Sequence, residues 1–183
     1  MSCKIAMRLI GHHATPANRN LKDYPFRVEL YHLLKQELDC VIYMIGDSYK
    51  VPLKREHKPL PPSEMNQPIY GDVVITDLSY KGLLENISEM DTWVAVDSFY
   101  HHAAGLLQKP GVAILGPWKT ANVGYATNIN LEMSSEHQIP YMKYMDDEKP
   151  RPKEAFPSPE AVVKAIKEIL TNNNINYQKA NNV

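Results

Sequence analysis

Asp97-Ser98-Phe99-Tyr100-His101-His102-Ala103-Ala104-Gly105-Leu106-Leu107, followed after Gln108 by Lys109-Pro110-Gly111-Val112-Ala113-Ile114-Leu115-Gly116-Pro117, is the stretch whose reading decides the fold. It reads as a strand ending at Val96, a polar turn, a helix, and a second strand running into Gly-Pro. A strand–helix–strand unit of this length builds a parallel sheet by a right-handed crossover. Ligands of open α/β sheets gather at the carboxyl ends of the strands. Here that edge carries Asp97, Ser98 and His102 beside a helix start, whose unpaired N–H groups and partial positive charge suit a phosphate.

The same alternation extends outward in both directions. Lys4 to Ile10 is an apolar strand ending at Gly11, and residues 12–22 are polar. From Pro25 to Leu38 the period is helical, with Phe26, Leu30, Leu34 and Leu38 on one face, Asp23 as cap and Pro25 in the first turn. Cys40 to Ile45 is a buried strand. Residues 50–69 hold five prolines among basic residues, a density that blocks regular structure. Asp72 to Thr76 is a further strand, Ser79 to about Ser88 a short helix, and Trp93 to Val96 the strand before the opening stretch. The helix there runs from about Tyr100 to Gln108 and the strand after it from Val112 to Leu115. Residues 117–140 read as irregular. Ser158 caps a last helix with Pro159 in its first position and Val162, Val163, Ile166, Ile169 and Leu170 on its apolar face. The expected fold is α/β: a Rossmann-like parallel sheet of about five or six strands with helices on both faces. It forms one domain over residues 1–171, with 172–183 as an asparagine-rich, disordered tail.

Composition narrows the function classes. The 183 residues are 44% hydrophobic and 22% charged, with a formal net charge of −1. That is ordinary for a globular domain with its own core, and it argues against a nucleic-acid partner or a membrane surface. No apolar run is long enough to span a bilayer, and no basic-then-apolar leader precedes the first strand. Cys3 and Cys40 lack a Cys-x-x-Cys pattern and read as buried free thiols, so a cytoplasmic location is expected. No Gly-x-Gly-x-x-Gly follows the first strand, which disfavours a dinucleotide oxidoreductase, and no cofactor is expected. A Ser-His-Asp hydrolase is disfavoured too, for want of a Gly-x-Ser-x-Gly elbow. The pairs His12-His13 and His101-His102 invite a metal reading. Adjacent residues face apart on a helix, and no carboxylate or cysteine stands out at ligand spacing, so the expectation is no metal.

The opening stretch resembles the donor-site signature of the lipopolysaccharide heptosyltransferases, the ADP-heptose glycosyltransferase family. That signature runs roughly Asp-Ser/Thr-Gly-x-x-His-x-Ala-Ala, a Lys/Arg-Pro turn, then a strand ending Gly-Pro. Upstream, His13-Ala14-Thr15 and Lys22-Asp23-Tyr24-Pro25 resemble the family's His-Ala-Thr and Lys-x-Trp-Pro segment, and Ser158-Pro159-Glu160-Ala161-Val162 the start of its closing helix. The resemblance covers residues 4 to about 170, and it corresponds to the C-terminal, donor-binding half of a GT-B enzyme only.

The resemblance implies a nucleotide-diphosphate sugar as ligand, bound by Asp97, Ser98, His102, Lys22, Thr15, Gly116 and Pro117. Asp97 and Ser98 also read as a helix cap, a role compatible with anion binding because both use the same N–H groups. Lys22 and the Thr15 hydroxyl match groups that reach the donor's phosphates. Gly116 and Pro117 match the Gly-Pro turn whose backbone meets the donor. Phe99 departs from the pattern: the family has glycine there, where a small residue lets a diphosphate approach the backbone. A phenylalanine blocks that approach or stacks on the base or sugar. Trp118 likewise replaces a small polar residue, and His101 matches no family position.

No residue carries over as the general base that must reach an acceptor hydroxyl. The function expected is a glycosyltransferase-like domain that binds a nucleotide-sugar and transfers the sugar with an acceptor side supplied by a protein partner, a second copy or the loop at 50–69. The alternative is a non-catalytic nucleotide or nucleotide-sugar binding or sequestering protein.

Overall fold

The computed structural model describes residues 2–10, 24–46, 70–76, 78–139 and 151–179. Its strands are β1 (Cys3–Arg8), β2 (Cys40–Ile45), β3 (Val73–Ile75), β4 (Thr92–Val96), β5 (Val112–Ile114) and β6 (Ile129–Leu131). Helices α1 (Arg27–Glu37), α2 (Tyr80–Glu89), α3 (Phe99–Leu106) and the one-turn α4 (Thr120–Val123) connect them, and α5 (Pro159–Asn172) follows. Every pairing is parallel, in the order β3-β2-β1-β4-β5-β6. From β1 the chain steps one way to β2, and from β4 it steps the other way to β5. Right-handed crossovers in opposite directions put α1 and α3 on opposite faces. The order reverses between β1 and β4, and in such sheets the ligand crevice opens there, outside the strands' carboxyl ends.

Each strand serves two cores, because successive side chains point to opposite faces. On one face Ile5, Met7, Ile42, Val94, Val96, Val112 and Ile114 pack under α1 and α5, which contribute Leu30, Leu34, Val162, Ile166 and Leu170. On the other, Ala6, Trp93, Ala95 and Ala113 pack under α2 and α3, which contribute Leu83, Ile87, Tyr100, Ala103 and Ala104. This second face is built around Trp93, whose indole N–H donates to the Lys109 carbonyl at 2.8 Å. Its strand neighbours are small because the ring fills their space, with Ala6 standing opposite Trp93 in the register. Gly111 completes the fit: a Cβ there would fall 2.2 Å from the indole.

Several expectations shift by a few residues. α1 begins at Arg27 rather than Pro25, and its capping position, Phe26, makes no side-chain cap bond; Asp23 lies outside the described residues. The helix is anchored through Tyr24 instead, whose N–H donates to the Leu9 carbonyl at 3.1 Å and whose hydroxyl donates to the Pro157 carbonyl at 2.8 Å. Ser158 and Pro159 start α5 as expected, the Ser158 hydroxyl accepting from the Ala161 N–H. Residues 117–140, expected to be irregular, contain β6. Its three residues pair with β5, Ile129 opposite Val112, and so short a strand between polar residues exists through that pairing rather than through propensity. Residues 172–183, expected to form a disordered tail, are described as far as residue 179, with Asn172 still in α5. The Asp39 N–H donates to the Tyr177 carbonyl at 2.8 Å, and Ile175 and Tyr177 pack on the core.

Cys3 and Cys40 are register partners at the amino ends of β1 and β2, both free and buried. Burial pushes the Cys3 thiol up to about 12 and the Cys40 thiol up to about 11. Both are protonated, unreactive core residues at neutral pH.

Asp72 ties the β3 end to β2 and α1. Its Oδ2 accepts from the Ile42 N–H at 2.8 Å and Lys35 Nζ at 2.9 Å, and its Oδ1 accepts from the Tyr31 hydroxyl at 3.2 Å. Partial burial pushes the carboxyl up, but the donors from Ile42, Lys35 and Tyr31 outweigh it and hold it below the ordinary value. A depressed folded value means stability that is present above the unfolded value, about 3.9, and is lost as pH falls through the folded one. Asp72→Asn should therefore cost roughly 1–3 kcal/mol at pH 7 and flatten the loss of melting temperature below about pH 4. Thermal melts at pH 7 and pH 3 check this, and an unchanged acid limb in the variant would place the titrating group elsewhere.

Candidate functional site

Asp97 is the first residue beyond β4, and its N–H donates to the Ile114 carbonyl of β5 at 3.2 Å. That bond holds it at the carboxyl edge of the sheet, beside the β1–β4 reversal. Ser98 is extended, and its Oγ accepts from the His101 N–H at 3.5 Å, so strand turns to helix within two residues. The Asp97 carboxylate lies over the first turn of α3. Its Oδ1 stands 3.1 Å from His102 Nε2 and 3.8 Å from His101 Nδ1.

The two histidines differ sharply in exposure. The His101 side chain is fully buried, whereas that of His102 is 42% exposed. Their rings lie 4.7 Å apart at 36°. Tyr125, from the loop between α4 and β6, closes the other side. Its hydroxyl sits 3.2 Å from His102 Nδ1, and its ring meets His101 edge-on at 5.3 Å. Gly105 makes room for it, since a Cβ there would come within 2.5 Å of the tyrosine ring. Both ring nitrogens of His102 therefore have partners, while neither ring nitrogen of His101 has a hydrogen-bond partner among the described residues.

Of the residues expected to bind ligand, Asp97, Ser98, Phe99 and His102 meet at the start of α3. Gly116 and Pro117 lie at the end of the adjacent strand β5. Gly116 takes a left-handed φ of 57°, which only glycine adopts without strain, and so turns the chain. The turn is closed by the Trp118 N–H on the Leu115 carbonyl, and the Pro117 carbonyl accepts from the Ile139 N–H at 3.1 Å. Phe99 is exposed, with its ring 5.8 Å from that of Tyr80 at the start of α2. Trp118, in the turn after β5, is buried and packs into the core. Thr15 and Lys22, like His12, His13 and the loop at 50–69, lie outside the described residues.

Three residues of the site escape sequence reasoning. His101 matches no family position, yet it stands four residues after Asp97, the spacing that brings side chains together on a helix. The argument that no carboxylate lies at ligand spacing overlooked the same pair: Asp97, His101 and His102 offer ligand atoms within 4.8 Å of one another. Tyr125 carries no local signal. Arg8 does, being a charged residue in an apolar strand. It is buried at the carboxyl end of β1, opposite Ala95, with its guanidinium 3.5 Å from the Ile45 carbonyl.

No helix among the described residues is long and apolar enough to cross a membrane. No family model matches the sequence, and no curated protein matches it. Solved structures do match in fold. The glycosyl transferase family 9 protein of Veillonella parvula DSM 2008 is 17% identical with a TM-score of 0.63, over 93% of this chain and 46% of that one. The ADP-heptose LPS heptosyltransferase II of E. coli is 16% identical with a TM-score of 0.60, over 94% and 48%. The E. coli heptosyltransferase WaaC with ADP is 17% identical with a TM-score of 0.54, over 92% and 44%. The chain spans just under half the length of each. With six parallel strands in Rossmann-like order and helices on both faces, it has a glycosyltransferase-like fold.

Proposed function

We propose that the chain binds a nucleotide-diphosphate sugar at the carboxyl edge of β4 and β5 and serves as the donor half of a glycosyltransferase. The observation that carries this reading is the placement of Asp97, Ser98 and the start of α3 beside the β1–β4 reversal, where open α/β sheets take their ligands. The N–H groups of the first turn of α3 face the diphosphate, and the helix dipole stabilises its charge. His102, its ring held between Asp97 at 3.1 Å and the Tyr125 hydroxyl at 3.2 Å, stands beside the phosphates. Phe99 and Tyr80 offer an aromatic surface beside the helix start for the base or sugar.

In sugar transfer this half stabilises the leaving diphosphate, and a base on the acceptor side takes the proton from the acceptor hydroxyl. The acceptor side, with its base, lies outside this donor half. Thr15 and Lys22 belong to the same reading through the family resemblance. The two buried free thiols fit a reducing, cytoplasmic setting.

Native mass spectrometry of gently purified protein, followed by analysis of what denaturation releases, tests the ligand class. Thermal shift with ADP-sugars and UDP-sugars complements it. A retained nucleotide-sugar or a clear shift is expected. Asp97→Ala and His102→Ala should each weaken binding by about 1–3 kcal/mol, the worth of a charge-assisted hydrogen bond. No retained nucleotide, together with no shift from any donor, would remove the proposal. A second reading is a binder that does not turn its ligand over. Its signature is tight stoichiometric binding with the sugar-diphosphate bond intact after long incubation.

A further inference from the structure

We infer that Asp97, His101 and His102 together bind one divalent transition-metal ion of the zinc class. A hydrogen bond accounts for only part of this cluster. It explains Asp97 Oδ1 at 3.1 Å from His102 Nε2. It leaves His101 fully buried with no hydrogen-bond partner on either ring nitrogen among the described residues, and with Nδ1 standing 3.8 Å from the same carboxylate oxygen. That distance is too long for a hydrogen bond, and burying a polar ring without partners is costly. A shared cation resolves it. Bonds of about 2.0–2.2 Å in a tetrahedron place ligand atoms about 3.3–3.5 Å apart. The separations of 3.1 and 3.8 Å bracket that edge, and all three ligand atoms lie within 4.8 Å of one another. Small side-chain rotations complete the closure.

The donor set and its surroundings favour the same class of ion. Two imidazoles and one carboxylate suit zinc, cobalt or nickel better than magnesium or calcium, which prefer oxygen throughout. Tyr125 supplies the outer support. With Nε2 of His102 on the metal, the ring proton sits on Nδ1 and is donated to the Tyr125 hydroxyl 3.2 Å away, as metal-bound histidines commonly require. On binding, the single ring proton of His102 moves from Nε2, where it faces Asp97, to Nδ1. Three protein ligands leave a fourth position open. This inference rests on the nucleotide reading only for what would occupy that position, a phosphate oxygen in place of water.

The test uses the metal alone, so it is independent of any nucleotide. Zinc chloride is titrated into the untagged full-length protein by calorimetry, and cobalt chloride is added in parallel while visible absorption is recorded. One equivalent should bind, with the strong visible bands of four-coordinate cobalt. His102→Ala, at a half-exposed position that the fold does not need, and Asp97→Asn should each weaken zinc affinity by at least about tenfold, and melting checks that both fold. His137→Ala, at a histidine outside the cluster, should bind zinc as the parent does. Absence of a stoichiometric event, or affinity changed less than tenfold in either cluster variant, overturns the inference.

Discussion

Gly111→Ala should lower the melting temperature by about 6–12 °C, the equivalent of roughly 3 kcal/mol in a chain of this size. The cause is steric and has one address. The new methyl would lie 2.2 Å from the fully buried Trp93 indole, which cannot swing outward because α2 and α3 cover it and the Lys109 carbonyl holds its N–H. Either the β5 backbone retreats, breaking its register with β4, or the indole leaves its place and strands that carbonyl. A double-mutant cycle with Trp93→Leu separates this from a simple effect on the unfolded chain. The pair should fall short of additivity by about 1–2 kcal/mol, because a smaller side chain makes room for the methyl. Strict additivity would sink the steric explanation.

His101→Leu should act in the opposite direction on stability. Removing a buried imidazole whose nitrogens lack hydrogen-bond partners among the described residues, and filling the site with apolar volume, should stabilise the metal-free protein by about 1–2 kcal/mol. Asp97 keeps its closer partner, His102, at 3.1 Å. Urea unfolding should show a higher midpoint at an unchanged slope. Zinc, which raises the stability of the parent by binding only its folded form, should no longer do so. A variant that is less stable than the parent would mean that His101 has a structural partner that its surroundings do not reveal. A gain in stability at the expense of a site is the usual sign that a residue is kept for function.

How much of this could be read from the chain depends on whether the signal was local. Cys40 to Ile45, Trp93 to Val96 and the Ser158-Pro159 helix start were legible because apolar runs, caps and proline positions act within a few residues. The placement of Asp97 and Ser98 at a strand end followed from the same logic. β6 was not legible, because Ile129–Leu131 becomes a strand by lying against β5. The contact of Tyr125 with His102 spans 23 residues and depends on Gly105 leaving room, a relation that no pattern encodes. His101 was missed for a different reason. Its spacing to Asp97 is helical, whereas the adjacent His101-His102 pair on its own points two ways. Arg8 was passed over as part of an apolar strand, although a charge that must be buried marks a position.

The clasp at Asp39 has a topological consequence. Its carbonyl accepts from the Cys3 N–H at 3.3 Å and its N–H donates to the Tyr177 carbonyl at 2.8 Å. The first strand and the last described segment thus meet at one residue, on the amino edge of the sheet. A strand the length of β1 separates that edge from Asp97, about 17 Å at 3.3 Å per residue. Residues 179 and 2 can therefore be joined by a short glycine-serine bridge and the ring reopened between α2 and β4, at the exposed Glu89. Such a circular permutant should keep the sheet order and leave the carboxyl-edge site undisturbed, which makes that edge a site that can be rewired from behind.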